Sequence, residues 1–127
     1  MGTEPLISII ICTHNREESL KKYLLESLLR LNYSNYEVIF VDDASTDKTQ
    51  VVLREFKDKI QNVKVIKNKK MRGLCHARNL GIKYAKGDIF AFTDDDCILD
   101  KNWLTEIAKS FEDKESTVVG GPSYKSE

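Results

Sequence analysis

The chain has 127 residues, 41% hydrophobic and 31% charged, which suits one ordinary soluble globular domain, and it has no low-complexity tract. Its 20 Lys and Arg balance 20 Asp and Glu, so no overall field draws it to nucleic acid or an anionic membrane, and any anion site must be local. Cys12, Cys75 and Cys97 are odd in number, widely spaced and without a CxxC, so they read as small semi-buried thiols in a reducing compartment rather than a disulfide framework or zinc site.

Residues 6–11 form a β-branched, nearly continuous apolar run, the pattern of a strand buried on both faces, ended by polar residues 13–16. No signal peptide opens the chain, and the run 6–12, interrupted by Ser8, is far too short to span a bilayer. A soluble, cytoplasmic domain is expected, with membrane anchoring elsewhere in a longer protein left open. Over 17–31, Leu20, Tyr23, Leu24, Leu28 and Leu31 recur at spacings of three and four, a helical stripe that residues 32–35 break. Residues 36–41 give a second buried strand, ended by Asp42 and Asp43. Ser45 or Thr46 is the expected cap of the next helix, with Asp47 near its positive end and Val51, Val52, Phe56 and Ile60 on its inner face. A short third strand covers 63–66, and 67–72 form a basic loop. Gly73 precedes a helix whose inner face is Leu74, Ala77, Leu80, Gly81, Tyr84 and Ala85, with Gly87 as its terminator. A fourth strand at 88–92 ends in Thr93 and three aspartates. A helix with Trp103, Leu104, Ile107, Ala108 and Phe111 follows, then a fifth strand at 117–119 and a polar tail.

The order βαβαβαβαβ predicts an α/β domain with a mostly parallel open sheet, right-handed crossovers and helices on both faces. No internal repeat or linker divides residues 1–127, so they read as one domain.

In open α/β sheets ligands bind outside the carboxyl ends of the strands, where the unusual polar residues of this chain gather. Thr13, His14 and Asn15 follow strand one, Asp42 and Asp43 strand two, residues 68–72 strand three, and Asp94, Asp95 and Asp96 strand four. Three adjacent carboxylates repel one another, and a cation would relieve them. Alternation at a strand end lets Asp94 and Asp96 share a face, and an all-oxygen set favours Mg²⁺ or Mn²⁺ over zinc. The bland alternative is a solvated acidic turn capping the next helix. Asp42 and Asp43 suit the N–H of a nucleobase or ribose hydroxyls, or else cap their own loop. The His14 ring suits stacking on a base, or else is structural. Arg72 and Arg78, with Lys67, Lys69 and Lys70, are the only dense basic cluster and suit a diphosphate, or else a solvated loop. Neither GxGxxG nor GxxxxGK[ST] occurs, which disfavours a dinucleotide dehydrogenase and a P-loop NTPase.

Taken together, residues 8–16 (SIIICTHNR), 37–47 (EVIFVDDASTD), 73–81 (GLCHARNLG) and 86–96 (KGDIFAFTDDD) resemble the nucleotide-sugar-binding region of the family-two inverting glycosyltransferases, from residue 5 to about 122. The resemblance implies the Rossmann-like GT-A fold. It places Thr13 and His14 beside the base, although the family often has Tyr at the position of His14 and Pro at that of Cys12. It makes Asp43 the base's partner with Asp42 in support, sets the basic loop and Arg78 near the ribose-diphosphate, and makes Asp94 and Asp96 the DxD metal pair with Asp95 near the ribose or sugar. It implies metal-dependent transfer, with inversion, of a hexosyl group from a nucleoside diphosphate sugar, UDP-sugar by default, to a saccharide or lipid-linked acceptor hydroxyl. The general base is expected beyond Glu127, the chain reading as the N-terminal part of a longer enzyme. A donor-binding module without catalysis is the main rival. A phosphoacceptor receiver is disfavoured because a full βα unit precedes Asp42, and a nucleotidyltransferase because residues 13–16 lack its Gly-rich loop.

Overall fold

The computed structural model describes residues 4–112, together with Val118 and Gly120. Strands β1 (Ile7–Thr13), β2 (Tyr36–Asp43), β3 (Val63–Asn68) and β4 (Ile89–Thr93) form one parallel sheet in the order β3-β2-β1-β4. The helical elements are α1 (Glu17–Ser19), a π-helical turn (Leu20–Leu24), α2 (Leu25–Leu29), α3 (Thr49–Lys59), α4 (Leu74–Tyr84) and α5 (Trp103–Ser110).

Strand alternation divides the apolar residues between two faces. Ile7, Ile9 and Ile11 of β1, Val38 and Phe40 of β2, and Ile89 and Ala91 of β4 share one core with Leu20, Leu24, Leu25, Leu28, Val52, Leu53, Phe56 and Leu104. Phe40 and Phe56 meet edge to face at 5.0 Å between centroids. The opposite face has a smaller core of Ile39, Val41 and Ala77, flanked by Cys12, Ile66, Leu80 and Ala85. Only α4 among the described elements lies there, and Phe90 and Phe92 of β4 stay 40% and 44% exposed.

Several elements differ from the sequence expectation for identifiable reasons. The first helix contains a π turn, in which the Leu25 N–H reaches Leu20 O, and this lets the adjacent Leu24 and Leu25 both turn inward. Strands β2 and β3 run on through Asp42, Asp43, Lys67 and Asn68, because their ladder continues through the polar residues. Neither Ser45 nor Thr46 caps α3; Asp47 Oδ1 accepts the Thr49 N–H at 2.9 Å, since the Ser45 hydroxyl is committed to Asp42 and to the Asn15 N–H. Val51 faces solvent, and Leu53 takes the inner position. On α4 only Ala77 and Gly81 are buried, because the helix sits so near the sheet that a Cβ on Gly81 would lie 2.5 Å from Ile10 Cγ2; Leu74 and Tyr84 are exposed. The strand expected at 117–119 lies outside the described residues except for Val118, which belongs to no strand.

Gly87 is not a helix terminator. Helix α4 ends at Tyr84 with Ala85 extended, and Gly87 instead presses on β1, its N–H donating to Ser8 Oγ at 2.8 Å. Ser8 Oγ in turn donates to Glu37 Oε2 at 2.6 Å, which also accepts the Lys86 N–H at 2.6 Å. A Cβ on Gly87 would lie 2.4 Å from Ser8 Oγ, 2.7 Å from Ser8 N and 2.9 Å from Leu6 O, and two of those atoms are backbone. Gly87→Ala is therefore expected to lower stability in urea unfolding by about 1–3 kcal/mol. Gly120→Ala, where a Cβ would meet nothing within 4 Å, is expected to stay within about 0.5 kcal/mol of the parent. Equal midpoints for the two variants would contradict the close approach.

Candidate functional site

Parallel register fixes which polar residues meet. Thr13 lies beside Asp42, Asp43 beside Asn68, and Ile11 beside Thr93, so the loops after all four strands open on one rim. The loops after β1 and β2 are tied to each other. Asn15 and Ala44 adopt left-handed φ of 51° and 63°, a backbone Asn tolerates and Ala does so only at a cost near 1 kcal/mol. Asn15 Oδ1 accepts the N–H of Thr46 at 2.8 Å and of Asp47 at 3.3 Å, and the Arg16 N–H donates to Thr49 Oγ1 at 3.0 Å. The His14 Nδ1–H donates to Asp43 O at 2.8 Å, which leaves the ring exposed and fixed in orientation.

The two aspartates of β2 do different work. Asp42 is fully buried and accepts from Ser45 N–H and hydroxyl and from Gln50 Nε2, holding its own loop. Asp43 reaches across to the loop after β3. Its Oδ1 accepts from Asn68 Nδ2 and Arg72 N–H, each at 2.9 Å, and its Oδ2 from Gly73 N–H at 2.8 Å. Burial pushes the Asp43 carboxyl up, but the donors from Asn68, Arg72 and Gly73 outweigh it and hold the group below the ordinary aspartate range. Arg72 thus meets Asp43 through its main chain, not its guanidinium. Gly73, at φ 92°, begins α4 directly from this clamp.

The acidic turn after β4 also splits its residues. Asp95 is 8% exposed and points inward, its Oδ2 accepting the Thr13 hydroxyl at 2.8 Å and its Oδ1 lying 3.9 Å from Arg16 Nε. Burial raises the Asp95 carboxyl, Thr13 and Arg16 lower it, and the net shift is upward. Asp94 and Asp96 are exposed, and their carboxylates and the Cys97 thiol bring one ligand atom each to within 4.8 Å of one another. Ligands of one ion, each about 2–2.5 Å from it, stand about 3–5 Å apart, so two hard carboxylate donors at this spacing fit Mg²⁺ or Mn²⁺.

Cys12, half-buried between these groups, senses how closely they gather. Its thiol is pushed up to about 11, by burial first, against Arg78, which lowers it, and with Asp43, Asp95 and Asp94, which raise it. Thr13, Asp43, Arg78, Asp94 and Asp95 therefore share one neighbourhood, whereas Lys67 turns away to line a groove with Gln50, Leu53 and Arg54. Arg78 also lines a groove of about 430 Å³ with Cys75, Asn79, Ile82 and Phe92. Arg16 was not among the expected site residues, and the signal for it was its place as the only cation in the loop after β1. Cys75 is exposed rather than semi-buried.

The family model described as Glycosyl transferase family 2 matches residues 8–127. The chain belongs to this family. Glycosyltransferase AglE of Haloferax volcanii is 33% identical over 122 residues, covering 94% of this chain and 40% of the relative. S. aureus TarS 1–349, solved in complex with UDP-GlcNAc, superposes with a TM-score of 0.77 at 30% identity, over 84% of this chain and 31% of that 1–349 chain. A mannosyltransferase of Pyrobaculum calidifontis, solved with GDP-Man and Mn²⁺, has a TM-score of 0.77 at 24% identity over 93% of this chain and 34% of its own, and shows the shared fold. The family-2 chain described here spans two-fifths or less of these proteins. It has the α/β GT-A architecture that the sequence resemblance implied.

The Asp43 clamp makes a prediction about pH. A carboxyl held below the ordinary value of 3.8 contributes stability above that pH and loses it as pH falls through the lowered folded-state value. Asp43→Asn is expected to cost about 1–3 kcal/mol at pH 7. The gap to the parent should narrow in urea titrations as pH falls below 3.8. A pH-independent gap would contradict the clamp.

Proposed function

We propose that this rim binds a nucleoside diphosphate sugar with a divalent ion, as the donor site of a hexosyl transfer to an acceptor hydroxyl. The observation that carries the reading is the convergence of the Asp94 and Asp96 carboxylates beside the Thr13–Asp95 pair, in a chain of this family. The relatives' names and complexes support it: UDP-GlcNAc in TarS, GDP-Man and Mn²⁺ in the mannosyltransferase.

Each residue has a part the geometry allows. The exposed ring of His14 offers a face to a base. Asp43 Oδ2 holds a single donor, so it retains a lone pair for a nucleobase N–H. Asp42, Asn15 and Thr13 act beneath them, fixing the loops and Asp95. Arg78, with Arg72 and Arg16 on the same rim, supplies positive charge for a diphosphate. Asp94 and Asp96 would hold Mn²⁺ or Mg²⁺, which as a Lewis acid offsets charge on the departing diphosphate. The acceptor is a saccharide or lipid-linked hydroxyl, and UDP-sugar is the default donor.

Inversion needs a carboxylate to take the acceptor proton. Among the described rim residues Asp42 and Asp95 are held by their loops, Asp43 is given to Arg72, Gly73 and the base, and Asp94 and Asp96 belong to the ion. This favours a second reading, donor binding without transfer by these residues alone; sugar release from a UDP-sugar in the presence of acceptor separates the two.

Calorimetric titration with UDP and with GDP, with and without Mn²⁺, tests the donor site. Metal-dependent binding that Asp96→Ala weakens at least about tenfold is expected. Folded protein that binds neither nucleotide, or binds equally well without metal, would overturn it.

A further inference from the structure

Cys97 is the one residue of the acidic turn whose side chain the donor reading leaves without a task. Its thiol is half-buried yet belongs to neither apolar core, unlike that of Cys12. It turns instead towards the carboxylates, with Sγ 4.0 Å from Asp96 Oδ1, and stands within 4.8 Å of the donor atoms of both Asp94 and Asp96. Sulfur does not suit Mg²⁺, tolerates Mn²⁺, and is a strong donor to softer ions such as Cd²⁺ and Zn²⁺.

We propose that Cys97 is a third ligand of the metal site, so that the rim takes thiophilic divalent ions through an Asp94–Asp96–Cys97 set. The proposal rests on the donor reading, since it assigns a residue to that reading's ion. On binding a soft ion the thiol loses its proton to solvent as the metal–sulfur bond forms. The hard pair Asp94 and Asp96 then sets the position and charge of the site, and the sulfur sets which ion stays. The same donor makes the site open to displacement of its working ion by Cd²⁺ or Zn²⁺.

The test is a Cd²⁺ titration followed by the ultraviolet sulfur-to-cadmium charge-transfer band, which reads the bond without any assay of activity. It is run on the Cys75→Ser chain, because Cys75 is exposed and would bind Cd²⁺ independently. Expected are one equivalent of Cd²⁺, a titration moved to higher Cd²⁺ by excess Mn²⁺, loss of the band in Cys97→Ser and Cys97→Ala, and affinity about tenfold weaker in Asp96→Asn. Persistence of the band in both Cys97 variants, a Cd²⁺ titration that excess Mn²⁺ leaves unmoved, or unchanged Cd²⁺ affinity in Asp96→Asn would each overturn it. Calorimetry of UDP with Mn²⁺ on the same samples separates the two levels. Binding of UDP without a cadmium band removes the thiol from the site and leaves the donor reading standing. Absence of both signals removes both.

Discussion

A parallel sheet sends every strand out at the same edge, and in this chain the central position of β1 makes that constraint decisive. β1 is paired on both sides, and six of its seven residues are buried. Its neighbours can slide by one residue only by turning Val38 and Phe40, or Ile89 and Ala91, out of the larger core. With register fixed in this way, Thr13, Asp42, Asp43 and the turn after Thr93 have no choice but to meet. The chemistry of the rim is thus a by-product of apolar packing some distance beneath it.

Most rim carboxylates are consumed by structure. Asp42 holds the loop after β2, Asp43 the loop after β3, and Asp95 the end of β1. Among the described residues no buried side-chain nitrogen or oxygen lacks a partner. Besides the lone pair left on Asp43 Oδ2, the groups left for a ligand are the exposed ones: the His14 ring, the arginines, Asp94 and Asp96. An acidic rim can therefore exist without a bound cation, because its buried members are satisfied by hydrogen bonds and its repulsion falls on two exposed side chains.

Much of this was legible in the sequence. Four strands, the helical stripes and the family could be read from β-branched runs, spacings of three and four, and the order of polar clusters. What stayed hidden was set by contacts distant in sequence. Nothing local marks Gly87 as a close approach to Ser8, some eighty residues away, rather than a helix terminator. Asp43 and Asp42 are the same residue type side by side, and only their alternation across β2 sends one to Ser45 and the other to Asn68. Asp94, Asp95 and Asp96 form a plain acidic run in sequence, yet the backbone turn sends Asp95 inward to Thr13 and leaves its neighbours outside. The π turn was invisible because leucines at 20, 24, 25 and 28 satisfy an ordinary helical stripe nearly as well.

The amide oxygen of Asn15 has a consequence for binding thermodynamics. By accepting from Thr46 and Asp47 at once, it joins the loops after β1 and β2 into a single body before any ligand arrives. A partner settling on those loops finds few rotors left to immobilise, so the conformational entropy that flexible recognition loops lose on binding has already been lost here in folding. Such a surface favours fast selection among ligands of nearly the right shape over remodelling around a poor one.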